Sequence, residues 1–229
     1  MIPRREFLRR AVSTAAAGAA AQAGLAPALH TTASAQTHVT PAEAMRLLME
    51  GNQRFAAGRL TSIDHDLQIL REHTAEKQEP FAGVLSCADS RVPVELVFDQ
   101  TIGQLFVTRV AGNVVSPEII ASLEYGVAVL GVKALLVLGH TACGAVKAAM
   151  KADHVPGQIS TLYQRLQPAV SKSNGDVAKA IEINAALQAD LLRTTSPVIR
   201  DAIKTGTLTV ESGVYDLATG HVTLTPHAA

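Results

Sequence analysis

Apolar residues along this chain recur in two rhythms, one with the period of a helix and one continuous over half a dozen positions. Thr40-Pro41-Ala42-Glu43 is a capping box with proline at the first helical position, and Ala44, Leu47, Leu48, Gly51 and Phe55 follow at helical spacing. The pattern predicts an amphipathic helix over 41–57. Residues 81–86, 105–108 and 133–138 are short unbroken apolar runs, the signature of parallel strands buried on both faces. Between the second and third runs, Ser116-Pro117-Glu118 opens a helix whose Ile119, Ile120, Leu123, Val127 and Leu130 lead to Gly131, so strand, helix and strand form a βαβ unit. A long helix is predicted over 176–193 and a short one from Ser196-Pro197. Residues 207–215 then alternate, before a turn at Gly220 into 222–224. The polar stretch 58–80 is predicted as a loop with one short helix over 67–76. The expected fold class is α/β, a mainly parallel β-sheet flanked by helices, with an N-terminal helical arm and a C-terminal antiparallel hairpin.

The first residues change where that fold begins. Arg4-Arg5 followed by Phe7-Leu8, an Ala/Gly-rich stretch to about Leu29, and Ala33-Ser34-Ala35 before Gln36 form an export signal with an A-x-A cleavage pattern. It resembles the twin-arginine type, with Pro3 where Ser or Thr is usual. Ser13, Thr14, Gln22 and Pro27 argue against a stable membrane anchor. The expected organisation is a signal peptide over 1–35 and a single catalytic domain over 36–229, exported by the twin-arginine route to the periplasm or secreted. Of 20 basic and 20 acidic residues, cleavage would remove four Arg and one Glu and leave a mildly acidic chain. No basic cluster with interleaved aromatics suggests nucleic acid.

The chemistry sits just after the apolar runs. The chain has two cysteines: Cys87 in Cys87-Ala88-Asp89-Ser90-Arg91, and Cys143 in Gly139-His140-Thr141-Ala142-Cys143. Two thiolates and an imidazole make three ligands of a tetrahedral zinc site with one position open, the arrangement of a catalytic zinc. In open α/β sheets ligands bind beyond the carboxyl ends of the strands, where Cys87 and His140 are expected. An exported protein with two cysteines is also a disulfide candidate. The zinc could be structural with Asp89 as fourth ligand, and His140 could be a core histidine. His140 near Cys143 and Asp89 and Arg91 beside Cys87 weigh against the disulfide, and neither of the other two alternatives accounts for both motifs together. Asp89 and Arg91 are placed to form a charge-assisted pair that holds the carboxylate off the metal.

C-x-D-S-R followed at a distance by G-H-x-x-C-G resembles the β-class carbonic anhydrases. The likeness runs from Gly51-Asn52-Gln53-Arg54-Phe55 to about Met150, through Val107-Thr108-Arg109-Val110-Ala111-Gly112-Asn113 and Ser122-Leu123-Glu124-Tyr125-Gly126. It implies one zinc per chain on Cys87, His140 and Cys143, an Asp89–Arg91 dyad, and reversible hydration of carbon dioxide to bicarbonate through a zinc-bound hydroxide. It also implies a homodimer or homotetramer with the active site at the interface and the helix over 41–57 packed across the partner. Of the family's two subclasses, the open one is favoured. Gln78 stands nine residues before Cys87, where that subclass has its substrate-reaching glutamine. Phe106 and Tyr125 match its pocket aromatics, with Ala111 beside them and the Gly139 backbone as a further donor. The closing subclass, in which the aspartate becomes the fourth zinc ligand, has a tryptophan where this chain has Val84, and the chain has no Trp. Hydrolysis of carbonyl sulfide or carbon disulfide is the nearest rival activity.

Overall fold

The structure is a computed structural model that describes residues 38–62 and 78–226. The export signal and the helix expected over 67–76 lie outside the described residues. The capping box opens α1 (Pro41–Ala56) as expected: the Thr40 side chain accepts a hydrogen bond from the Glu43 N–H at 3.2 Å. Its apolar stripe then turns Ala44, Met45, Leu48 and Gly51 inward.

Three further segments form the parallel centre of a sheet: β1 (Ala82–Ser86), β2 (Leu105–Arg109) and β3 (Ala134–His140). All five residues of β1 and all seven of β3 are buried, which is why their sequences show no alternation. The short α2 (Val94–Val97) follows β1, a 3-10 turn (Ala111–Asn113) follows β2, and α3 (Pro117–Ala128) returns the chain to β3. After β3 come α4 (Gly144–Lys151), α5 (Ser160–Lys172), α6 (Val177–Thr195) and α7 (Pro197–Lys204), then β4 (Thr209–Tyr215) and β5 (Val222–Leu224). The strand order is β2-β1-β3-β4-β5; the first four strands run parallel and β5 pairs antiparallel with β4.

Successive residues of β3 point to opposite faces and so divide the core. Leu136 and Leu138 pack with α1, α2, Phe81 and Tyr215, whereas Leu135 and Val137 pack with Leu123 of α3 and with Ala189 and Leu192 of α6. Helices therefore cover both faces. α1 belongs to one of these layers, with Ala44 and Leu48 fully buried against its own sheet.

Three details differ from the sequence reading. The strands of the expected βαβ unit are not neighbours, because β1 lies between β2 and β3. The third strand continues past 138, so His140 is its last residue rather than one beyond it; β4 pairs along its whole length, with His140 opposite Tyr215. α5 is an additional helix, whose signals are weak because Pro168 lies inside it and no side chain caps its start.

Candidate metal centre

Cys87 follows directly on the last residue of β1, and His140 ends β3 next to it in the sheet. Parallel pairing thus brings two distant residues to one end of the sheet. Cys143 joins them through a tight turn in which Ala142 takes the left-handed conformation, φ 58°, and Cys143 becomes the N-cap of α4. The Cys87 Sγ, Cys143 Sγ and a ring nitrogen of His140 all lie within 4.8 Å of one another. All three residues are buried, and both cysteines are free thiols, so the disulfide alternative does not describe this structure.

The donor set fits a metal ion. His140 Nδ1 is 2.9 Å from the Thr141 carbonyl oxygen, which can only accept, so Nδ1 carries the proton and Nε2 presents its lone pair. Nε2 is buried without a hydrogen-bond partner, an arrangement that normally carries a cost of about 1–3 kcal/mol and that a metal ion would relieve. The Cys87 thiol is held down to about 4, first by hydrogen bonding with Cys143 and further by His140 and the Gly112 N–H, against the burial that pushes it up. Cys143 is pushed up by the same bond and by burial. The pair therefore shares one proton, which a divalent cation would displace.

Beside this group, Asp89 is fixed by Arg91. Arg91 donates from its backbone N–H and from Nε to Oδ1, at 3.0 and 2.9 Å, and from Nη2 to Oδ2 at 2.8 Å. These bonds hold the Asp89 carboxyl well below the usual carboxylate range. Asp89 Oδ2 lies 3.8 Å from His140 Nε2, so the carboxylate borders the donor group while both its oxygens are held by the guanidinium.

Two further neighbours, to which the sequence pattern gives no role, support the group. Arg109, the last residue of β2, donates from Nε to the Cys87 carbonyl at 3.1 Å and from Nη2 to the Asp89 carbonyl at 2.5 Å, and so braces the 87–89 turn. A single arginine ending an apolar strand was the available signal. Gly112 donates its N–H to Cys87 Sγ at 3.3 Å.

Of the residues expected to line a pocket, Phe106 and Tyr125 lie away from the metal group of their own chain. Phe106 pairs with Gly83, four residues before Cys87, which is about 13 Å along the strand at ~3.3 Å per residue. Its ring packs on Tyr125 of α3, with centroids 6.2 Å apart, and Tyr125 is 47% exposed. Gln78 is exposed. Ala111 does lie close, opening the turn that carries Gly112 to Cys87. Gly139 precedes His140 in β3, where a Cβ would come within 3.3 Å of Ile181 Cγ2, so packing against α6 by itself accounts for a glycine there.

Fold and site together define an α/β protein in which parallel strands and one tight turn gather two thiols and an imidazole into a buried group able to hold a metal ion. The carbonic anhydrase family profile matches residues 82–222. The chain is 35% identical over 202 residues to carbonic anhydrase 2 of Mycobacterium tuberculosis, covering 83% of this chain and 95% of that protein. It is also 35% identical to a carbonic anhydrase of Mycolicibacterium smegmatis, over 82% and 94% of the two lengths. Among solved structures it resembles a tetrameric β-carbonic anhydrase of Sordaria macrospora, with TM-score 0.63, 25% identity, and coverage of 80% of this chain and 96% of that one. It also resembles the Coccomyxa β-carbonic anhydrase in complex with acetazolamide, with TM-score 0.63, 30% identity, and coverage of 77% and 84%. The chain belongs to the β-carbonic anhydrase family and is an enzyme of that kind.

Proposed function

We propose that this enzyme hydrates carbon dioxide reversibly to bicarbonate and a proton, with zinc held by Cys87, His140 and Cys143 and with Asp89 and Arg91 as a catalytic dyad. The observation that carries the reading is the buried, unpartnered Nε2 of His140, converging with two thiols beside an arginine-locked carboxylate. Zinc in such a set supplies a Lewis acid that makes water nucleophilic near neutral pH. The chain's own residues do the rest. Asp89, kept ionised by Arg91, accepts a hydrogen bond from the attacking water and orients it, while Arg91 keeps the carboxylate from closing onto the metal as a fourth ligand. Burial around Cys87, Cys143 and His140 excludes bulk water and suits an apolar, uncharged substrate. The two-point hold of Arg91 on Asp89 supports the open subclass.

A second copy completes the substrate pocket in this reading. Phe106 and Tyr125 lie away from their own chain's metal group, and β2 is an edge strand of the sheet. Exposed Ile102, Tyr125 and Val129 lie on the segments just before β2 and along α3, apolar surface suited to a partner. We assign a homodimer or homotetramer on that basis. Residues 1–35 are assigned as a twin-arginine export signal and 36–229 as the mature periplasmic or secreted domain; no helix among the described residues is long and apolar enough to cross a membrane.

Stopped-flow hydration of carbon dioxide on the chain from Gln36, with zinc measured on the same sample, tests the activity. Fast hydration with one zinc per chain is expected. Zinc without hydration would refute the substrate and direct attention to carbonyl sulfide or carbon disulfide. N-terminal sequencing of the protein recovered from the periplasm should begin at Gln36, and Arg4→Lys with Arg5→Lys should leave uncleaved precursor in the cytoplasm.

A further inference from the structure

Gly112 faces Cys87 Sγ with its N–H, and its own placement is unusual. Its φ is 77°, and a Cβ there would come within 3.3 Å of both Ala145 and Leu166. Something must hold this short turn in register with the sulfur, and two amide side chains of α6 do so. Asn184 Nδ2 donates to the Gly112 carbonyl at 2.9 Å, and Gln188 Oε1 accepts from the Val115 N–H at 2.7 Å. The two amides are joined, Gln188 Nε2 donating to Asn184 Oδ1 at 3.2 Å and also to the Arg165 carbonyl at 3.4 Å. Arg165 returns to the same segment by donating to the Val115 carbonyl at 2.6 Å.

Asn184 is 1% exposed and Gln188 5% exposed, one helical turn apart on a helix whose other buried positions are mostly Ala, Ile and Leu. Burying two amides in that setting is costly unless each hydrogen bond has a purpose. Their bonds meet both ends of the 112–115 segment. The segment in turn presents one backbone donor to one metal-ligand sulfur.

We infer that Asn184 and Gln188 are positioning residues for the metal centre, which clamp the 112–115 segment so that the Gly112 N–H stays directed at the Cys87 thiolate. A hydrogen bond to a ligand sulfur withdraws electron density from it and fixes its orientation, and such supporting contacts typically govern metal affinity by 10- to 100-fold. The inference rests on the proposed metal site and adds to it a part of the fold far along the chain, which touches neither metal nor substrate.

The test uses the full chain loaded with cobalt(II) in place of zinc, comparing wild type, Asn184→Leu and Gln188→Met. Removing the clamp should loosen the N–H···S bond, make the thiolate a better electron donor and move the thiolate-to-cobalt charge-transfer band to lower energy. Zinc affinity, measured by chelator competition, should fall about 10-fold. Gln188→Met, which retains the Asn184 contact, should shift both in the same direction but less. Leu192→Ala in the same helix serves as the control for general loosening: it should lower thermal stability and leave band and affinity unchanged. Unchanged band and affinity in a folded Asn184→Leu, or in Gln188→Met where the first variant does not fold, would overturn the inference. So would an equal shift in Leu192→Ala. A wild-type chain that binds neither cobalt nor zinc would overturn the metal site and the inference with it, an outcome distinct from a metal-binding wild type with an indifferent Asn184 variant.

Discussion

At the scale of single residues, the proposed roles divide between atoms that could hold a metal and a carboxylate that would act on its water. Cys87 supplies a donor atom, whereas Asp89 is engaged by Arg91 and supplies none while that pair holds. Cys87→Ser should therefore lose zinc, measured by elemental analysis of the dialysed protein, and Asp89→Asn should keep zinc and lose most of its hydration rate. An Asp89→Asn enzyme of undiminished rate would remove Asp89 from the mechanism. The pair also makes a pH prediction. Because the folded carboxyl is depressed below its unfolded value of about 3.9, its contribution to stability is present above that pH and is lost as pH falls through the lower, folded value. Arg91 is half exposed, which limits the contribution to about 1 kcal/mol or less. Arg91→Ala should lower stability to urea slightly at neutral pH, and by progressively less as the pH falls below the ordinary carboxylate range toward the depressed folded value. The same variant frees Asp89, and the cobalt-substituted spectrum should then report a fourth protein ligand.

Among elements, the decisive contacts are close approaches that a side chain would prevent. Gly51 on α1 lies so near the chain leaving α2 that a Cβ would sit 1.7 Å from the Phe98 carbonyl oxygen. Its neighbour Asn52 uses this proximity, donating to the Val97 and Gly220 carbonyls and accepting from the Val222 N–H. One side chain thereby links α1, α2 and the β4–β5 hairpin. Gly51→Ala should destabilise the fold by about 3 kcal/mol or more, since carbonyl and helix must separate, and a urea denaturation midpoint equal to wild type would contradict this packing. The His140–Cys143 turn shows the opposite balance. Ala142 holds a left-handed conformation that disfavours any residue with a Cβ by about 1–2 kcal/mol, and the turn keeps it because it delivers both donors to one point.

For the whole molecule, the strand order places the metal group at one end of the sheet and leaves β2 at its edge. An edge strand beside exposed apolar side chains invites a partner. Val129, 44% exposed at the end of α3, meets Tyr125 through its backbone N–H, which a substitution of the side chain leaves in place, and so tests association separately from the metal chemistry. Val129→Lys should shift the chain toward monomer in sedimentation velocity and reduce hydration with zinc content unchanged. A variant that associates as wild type does would show that this face is not the interface.

Elements whose physics is local were legible along the chain. Capping boxes, proline at first turns and unbroken apolar runs mark α1, α3, α6, α7 and the strands, because capping and burial act within a few residues. The sequence also marked the candidate donors, two cysteines and a histidine at or just past the ends of buried strands, whose ligand atoms the fold brings within 4.8 Å of one another. It could not order the strands: nothing in 81–86 or 133–138 says that β1 lies between β2 and β3, a matter settled by how helices cover both faces. Nor could it show that Phe106 lies far down the strand from Cys87, because strand register is a relation between segments. Asn184 and Gln188 were silent for the same reason, as amides on a helix are usually solvated. Only the packed structure turned them toward the 112–115 segment, where the buried Gly112 carbonyl and Val115 N–H required partners.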